Sequence, residues 1–189
     1  MTDVILRGIT HRFGDLTVLD QFSACFPAGT TTCIMGPSGR GKTTLLHILM
    51  GLLTADEGEI TGRPERIRAV FQEDRLLEEF SVADNLRFVC PKLTGETMSA
   101  HLAEVGLADS IDQPVAELSG GMKRRVAIVR AVLAEGDLLL LDEPFRGLDR
   151  KTRELVVAYL RRHTEGVTTI LVTHDPEEVD LMGGTLLTL

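Results

Sequence analysis

Short runs of β-branched and aromatic residues fill the first fifth of the chain. DVILRGITHRF (residues 3–13), TVLDQFSACF (17–26) and TTTCIM (30–35) are separated by the turn residues GD and PAG. Runs of this length, punctuated by Gly and Pro, predict strands, and the first two predict an antiparallel hairpin region. The pattern then changes period. LLHILMGLL (45–53) has the apolar spacing of a buried helix starting near Lys42 and running over about 43 to 52. TADEGEITGRPE (54–65) reads as turns, and RIRAVFQ (66–72) as a strand ending at Gln72.

From Glu73 to about Leu118 the chain favours helix. SVADNLRFV offers Ser81 as an N-cap, and TGETMSAHLAEVGL offers a second start with Gly106 as its stop. Alternation resumes afterwards: a helix in GGMKRRVAIVRAVLAEG, a strand in DLLLLD, a helix from about Lys151 to His163, a strand in TTILVT, a helix in PEEVDLM and a strand in GTLLTL. Strand and helix alternating in this way predict a parallel sheet covered on both faces. The expected fold class is α/β, one domain over residues 1–189 with an antiparallel β region and a helical insertion at about 73–130.

Composition narrows the function classes. A chain of 189 residues has room for one core of ordinary size. A net charge of −8 disfavours a protein that grips nucleic acid through many phosphate contacts, so no nucleic-acid partner is expected. Cys25, Cys33 and Cys90 are odd in number and lack CxxC spacing, which leaves a disulfide framework or a zinc site built on them without support. No apolar run is long enough to span a bilayer, and the first residues lack the layout of a signal peptide. A cytoplasmic location is expected.

The candidate chemistry begins at GPSGRGKTT, residues Gly36, Pro37, Ser38, Gly39, Arg40, Gly41, Lys42, Thr43 and Thr44. It fits G-x-x-x-x-G-K-[ST] in full, between an expected strand and an expected helix, which is the context a phosphate loop requires. Its glycines let successive N–H groups turn inward toward phosphate oxygens, and the helix adds its positive end. Lys42 supplies a point charge to the outer phosphates, and the Thr43 hydroxyl is a hard oxygen suited to Mg²⁺. LLLLDEP (138–144) reads as a strand buried on both faces whose end carries two carboxylates. Asp142 is assigned to the Mg²⁺ shell and Glu143 to the attacking water. LSGGM (118–122) sets Ser119, Gly120 and Gly121 directly before a long helix, a second anion site by its hydroxyl and free N–H groups. One nucleotide hardly needs two.

These motifs, in this order, resemble the nucleotide-binding subunit of ATP-binding cassette (ABC) transporters over almost the whole chain, with a P-loop NTPase core. GPSGRGKTT, Gln72, LSGGM, LLLLDEP, GLD (147–149) and THD (173–175) are similar to that family's two Walker motifs, Q-loop, signature, D-loop and switch histidine. The resemblance implies an ATPase using ATP and Mg²⁺, and an ATP-bound head-to-tail homodimer in which Ser119, Gly120 and Gly121 of one chain cap the ATP held by the other. That accounts for the second anion site. It further implies that Phe13 stacks on adenine, that Gln72 reaches Mg²⁺ and water, that His174 touches the γ-phosphate, and that Asp149 communicates across the dimer.

Within the family the chain is most similar to ATPases of bacterial importers of the nitrate, sulfonate and taurine type. The implied partners are a transmembrane permease, met on the inner face of the membrane, and through it a periplasmic or surface binding protein. Arg124, Val129 and Arg146 depart from the residues common at their positions. The chain ends soon after His174, so no C-terminal regulatory domain is expected. A soluble family member acting on DNA or the ribosome is the alternative, but the long coiled coils or tandem cassettes of those proteins are not in this sequence. EDRLLEEFSV (73–82) mixes Leu76, Leu77 and Phe80 with acids directly after Gln72, which suggests the surface that receives the membrane partner.

Overall fold

The computed structural model describes residues 2–189 and contains two sheets and six α-helices. The first sheet is antiparallel. β1 (Val4–Phe13) pairs with β2 (Leu16–Phe26) through the expected tight turn and, on its other side, with β4 (Glu57–Thr61). The sequence reading took the β4 segment for turns. β4 is short, mostly exposed, and has Ile60 as its one aliphatic residue. It is held instead by pairing with β1 and by cross-strand ion pairs, Arg7 with Glu59 at 2.8 Å and Arg12 with Glu57 at 3.1 Å.

The second sheet has five parallel strands in the order β5-β6-β7-β3-β8, with β3 at Thr31–Met35, β5 at Ile67–Val70, β6 at Leu138–Asp142, β7 at Thr168–Val172 and β8 at Thr185–Thr188. β6 and β7 are buried along their whole length, as a sheet covered on both faces demands. The two-residue period of the strand divides their side chains. Leu138, Leu140, Ile170 and Val172 pack with the antiparallel sheet and with Leu45, Leu46, Ile48 and Leu49 of α1 (Lys42–Met50). Leu139, Leu141 and Leu171 face the other way, into a core built from the remaining helices. Each fully buried leucine stabilises the fold by roughly 1.5–3 kcal/mol.

Those helices are α2 (Val82–Val89), α3 (Gly95–Glu104), α4 (Gly120–Leu133), α5 (Arg150–His163) and α6 (Pro176–Met182). The side chains of Ser81, Thr94, Ser119, Asp149 and Asp175 cap their N-termini, and Gly106, at φ 71°, turns the chain after α3. α4 runs unbroken through Arg130, so no break in the backbone marks the expected boundary there. No described helix is long and apolar enough to cross a membrane. All three cysteines are free, Cys33 buried and Cys25 exposed.

Candidate functional site

Four loops leave the C-terminal ends of adjacent parallel strands, the edge where open α/β sheets bind ligands. The loop after β3 carries Gly36–Gly41, the loop after β5 carries Gln72, the end of β6 carries Asp142 and Glu143, and the loop after β7 carries His174. The first three meet at a cleft of about 330 Å³ lined by Phe13, Ser38, Gly39, Gly41, Lys42, Thr43, Thr44, Gln72, Asp142 and Glu143, together with Val18 and Val172, the last residue of β7. A hollow of similar size near Gly62, Asp137 and Thr168 has no such loop and no helix start at its wall.

The phosphate loop shows why its residue types are needed. Gly41 stands at φ 85°, and a Cβ there would lie 2.7 Å from Val18 Cγ1 and 2.9 Å from the Val18 carbonyl, so only glycine lets the loop press against β2. Gly41 caps α1 without any side-chain acceptor, and the first turn of α1 has no acid. The opening N–H groups of this helix therefore face the cleft as a set of donors, a ready anion site. Lys42 is buried, and its Nζ lies across the loop, donating to the carbonyls of Gly36 at 2.7 Å and Pro37 at 2.9 Å.

Asp142 and Thr43 meet from opposite walls: Thr43 Oγ1 donates to Asp142 Oδ2 at 2.9 Å. Burial pushes the Asp142 carboxyl above the usual carboxylate range, the Thr43 bond opposes that rise, and the charge of Glu143 adds to it. Two hard oxygens joined in this way, one on a buried acid, fit a small divalent cation. Glu143 takes a left-handed backbone, φ 46°, rare for a residue with a side chain. Its N–H donates to the Val172 carbonyl at 2.9 Å, which ties it to β7. His174 Nδ1 lies 3.2 Å from Glu143 Oε1. Arg153 of α5 steadies the histidine loop by bonding Asp175 at 2.7 Å and also Glu177.

Phe13 stands on the rim, 51% exposed, with its ring edge-on to the buried His11. Gly36 and Pro37 line an adjoining groove with His174. Arg40 is exposed and lines neither hollow. Ser119, Gly120 and Gly121 are not in this cleft. The Ser119 hydroxyl accepts from the Met122 N–H at 3.3 Å, and Gly121 abuts Leu148 and Gly147 of the neighbouring turn. Asp149 caps α5 through Thr152, at 3.0 Å to its N–H and 2.6 Å to its hydroxyl, also outside the cleft.

Gln72 lies beyond the end of β5, exposed, on a loop held by α4. The buried Arg124 donates to the carbonyls of Phe71, at 2.6 Å, and Gln72, and its Nε lies 3.2 Å from Asp74 Oδ1. Arg130 donates to the carbonyls of Asp74 at 3.2 Å and Arg75 at 2.9 Å. Arg75 stacks over the Phe71 ring at 3.7 Å. Sequence reading noted Arg124 as a departure from the common residue without giving it a task. Its departure from the common residue was the one sign in the sequence; its burial and its partners come from the fold.

A parallel α/β sheet with a phosphate loop after β3 and an acid-tipped strand β6, one strand removed from it across β7, defines a nucleotide-binding protein of the P-loop class. The sequence profile described as ABC transporter matches residues 19–146. The chain is 40% identical to the aliphatic sulfonates import ATP-binding protein SsuB 2 of Burkholderia cenocepacia, over 97% of this chain and 72% of that protein. It is 42% identical to the protein of the same name from Streptomyces avermitilis, over 98% and 76%. It is 37% identical to the sulfate/thiosulfate import ATP-binding protein CysA of Burkholderia mallei, over 93% of this chain and 56% of that one. A bacterial Atm1-family ABC exporter with ATP bound superposes on the whole chain with a TM-score of 0.87 at 25% identity; this chain spans 37% of that one. The chain therefore belongs to the ABC transporter family, as a nucleotide-binding ATPase subunit.

Proposed function

We propose that the chain is the ATPase subunit of an importer, docked on a permease at the inner face of the membrane, and that it works as an ATP-bound head-to-tail homodimer. The observation that carries the dimer is the separation of the two anion sites. The phosphate loop faces one cleft, whereas the helix start at Ser119 is exposed outside it. A second chain turned head to tail would set its Ser119, Gly120 and Gly121 over the nucleotide, with Asp149 near the joint.

In this reading the loop and α1 N–H groups and Lys42 hold the phosphates, and Phe13 covers the base. Thr43 and Asp142, with Gln72 reaching in from its loop, would hold Mg²⁺, which neutralises charge on the transferring phosphoryl group. Glu143 takes a proton from the attacking water, and His174 orients the γ-phosphate from the far side of that carboxylate. The names of the import relatives favour sulfur oxyanions or sulfonates as the class of cargo, and a substrate-binding protein would reach this chain only through the permease. The helical block at about 73–130 is read as the insertion that carries both LSGGM and the docking surface. Leu76 packs into the core, which leaves Leu77 and Phe80, with Phe88, as the exposed apolar groups there.

The direct test is Lys42→Ala. Nucleotide affinity and ATP hydrolysis should both fall in the purified variant while it remains folded by circular dichroism. Wild-type affinity and turnover would overturn the site assignment.

A further inference from the structure

Away from the cleft, α3 and α5 bring His101, Glu104 and His163 together. His101 and Glu104 stand three residues apart on α3 and so share one face of it, and His163 is the last residue of α5, which packs against that face. One ligand atom from each, an imidazole nitrogen or a carboxylate oxygen, lies within 4.8 Å of the other two. His163 Nε2 and Glu104 Oε1 are 3.0 Å apart, and the two imidazole rings lie 4.7 Å apart. All three side chains are half-buried, within reach of solvent yet packed.

The surroundings orient this group. The hydroxyl of the fully buried Tyr159 sits 2.9 Å from His101 Nδ1, which fixes that ring and leaves Nε2 without a hydrogen-bond partner among the described residues. A hydrogen bond to one ring nitrogen that frees the other is the usual support of a metal-binding histidine. Arg162 bonds Glu104 Oε2 at 2.8 Å, the oxygen other than the one facing His163, and its side chain is largely exposed.

The geometry points to a zinc site formed by His101, Glu104 and His163. Two imidazoles and one carboxylate make a three-ligand zinc set with the fourth position open to water. Imidazole nitrogen selects zinc over Mg²⁺ or Ca²⁺. Ligand atoms around tetrahedral zinc, bound at about 2.0–2.1 Å, lie about 3.3 Å from one another. The Glu104–His163 pair is already close to that spacing, and the His101 ligand atom, within 4.8 Å of both, would draw in on binding the ion. A bound ion would tie α3 to α5. Because α3 also packs on α4, the ion would restrain the helix that begins after Ser119 against the parallel-sheet core.

The test is equilibrium uptake of Zn²⁺ by the intact chain in excess Mg²⁺, by competition with a chromophoric chelator, together with the absorption spectrum of the Co²⁺ complex. One equivalent of zinc should bind, and the Co²⁺ complex should show tetrahedral bands without a thiolate charge-transfer band. His101→Ala and His163→Ala should each weaken binding at least about 10-fold, by the scale of losses at metal sites. His174→Ala should leave uptake unchanged, and Arg162→Gln should tighten it by removing a competing cation. Glu104→Gln, which keeps the size of the side chain and one accepting oxygen, gives the same reading if a histidine variant fails to fold. Uptake equal in wild type and the His101→Ala/His163→Ala double variant, or no saturable equivalent in wild type, would overturn the proposal.

Discussion

Arg124 is 5% exposed, and its guanidinium is engaged on three sides, by the Phe71 carbonyl at 2.6 Å, the Gln72 carbonyl, and the Asp74 carboxylate at 3.2 Å. The Asp74 contact is close enough for an ion pair but is not an aligned hydrogen bond, and that carboxylate oxygen has no other partner. Burial raises the Asp74 carboxyl, and Arg124 leads the cations that oppose the rise. Arg124→Ala therefore strands a part-buried acid and two carbonyls at once. Charge-assisted hydrogen bonds contribute about 1.5–3 kcal/mol each, and breaking a buried pair from one side costs about 3–5 kcal/mol. The carbonyl of the exposed Gln72 can turn to water, so the expected loss is about 3–5 kcal/mol rather than the sum. Urea unfolding at constant m-value measures it. Arg124→Lys keeps the charge but not the planar fork, and should lose less. Since the same bonds hold the Gln72 loop against α4, Arg124→Lys should lower ATP turnover more than ATP affinity. A loss below about 1 kcal/mol in Arg124→Ala, the range of a surface pair, would refute the reasoning.

Ser119→Arg should abolish ATP-driven dimerisation of the pure variant, and mixing it with Lys42→Ala chains should restore part of it, since each heterodimer keeps one intact composite site; light scattering with ATP reads the outcome, and full dimerisation of Ser119→Arg alone would contradict the head-to-tail arrangement. Phe80→Glu should leave ATP affinity unchanged, because Phe80 is half exposed, and should reduce co-purification with the proposed permease partner; unchanged co-purification would remove the docking surface. Burial raises the Glu178 carboxyl above its usual 4.5, with the Thr173 hydroxyl bond and Arg153 opposing. The native state thus holds its proton longer than the unfolded state, so this group's contribution is complete below pH 4.5 and is lost as pH rises through the higher folded value. Glu178→Gln should accordingly gain stability relative to wild type between pH 4.5 and neutrality, followed by urea unfolding across that range, and a difference that stays flat with pH would count against the shift.

The elements whose side chains alternate or recur with one clear period were legible in the sequence. LLLLD and TTILV are β6 and β7, the capped starts at Ser81, Thr94 and Ser119 open helices, and the glycine loop lies between a strand and a helix as its pattern requires. β4 was not legible, because its stability comes from its partner strand and from arginines tens of residues away. In the site, the residues gathered by chain order around β3, β5 and β6 were readable as motifs. Val18 and Val172 were not, since they enter the cleft through packing and carry no chemistry of their own. The clamp of Arg124 on the Gln72 loop spans more than fifty residues and becomes visible only when α4 is laid beside β5. His101, Glu104 and His163 were hidden for the same reason, two on one helix and the third on another.

The central claim is that this cleft hydrolyses ATP with Glu143 as the base, and Glu143→Gln tests it most directly. The amide keeps the shape of the side chain and a hydrogen-bond partner for His174, but it cannot take a proton. Steady-state ATP turnover should fall by roughly 10²–10⁴-fold, the range for loss of a general base. ATP binding should persist, and the trapped nucleotide should hold the chain as a dimer on size-exclusion chromatography in Mg²⁺ and ATP. Turnover equal to wild type in this variant would contradict the account.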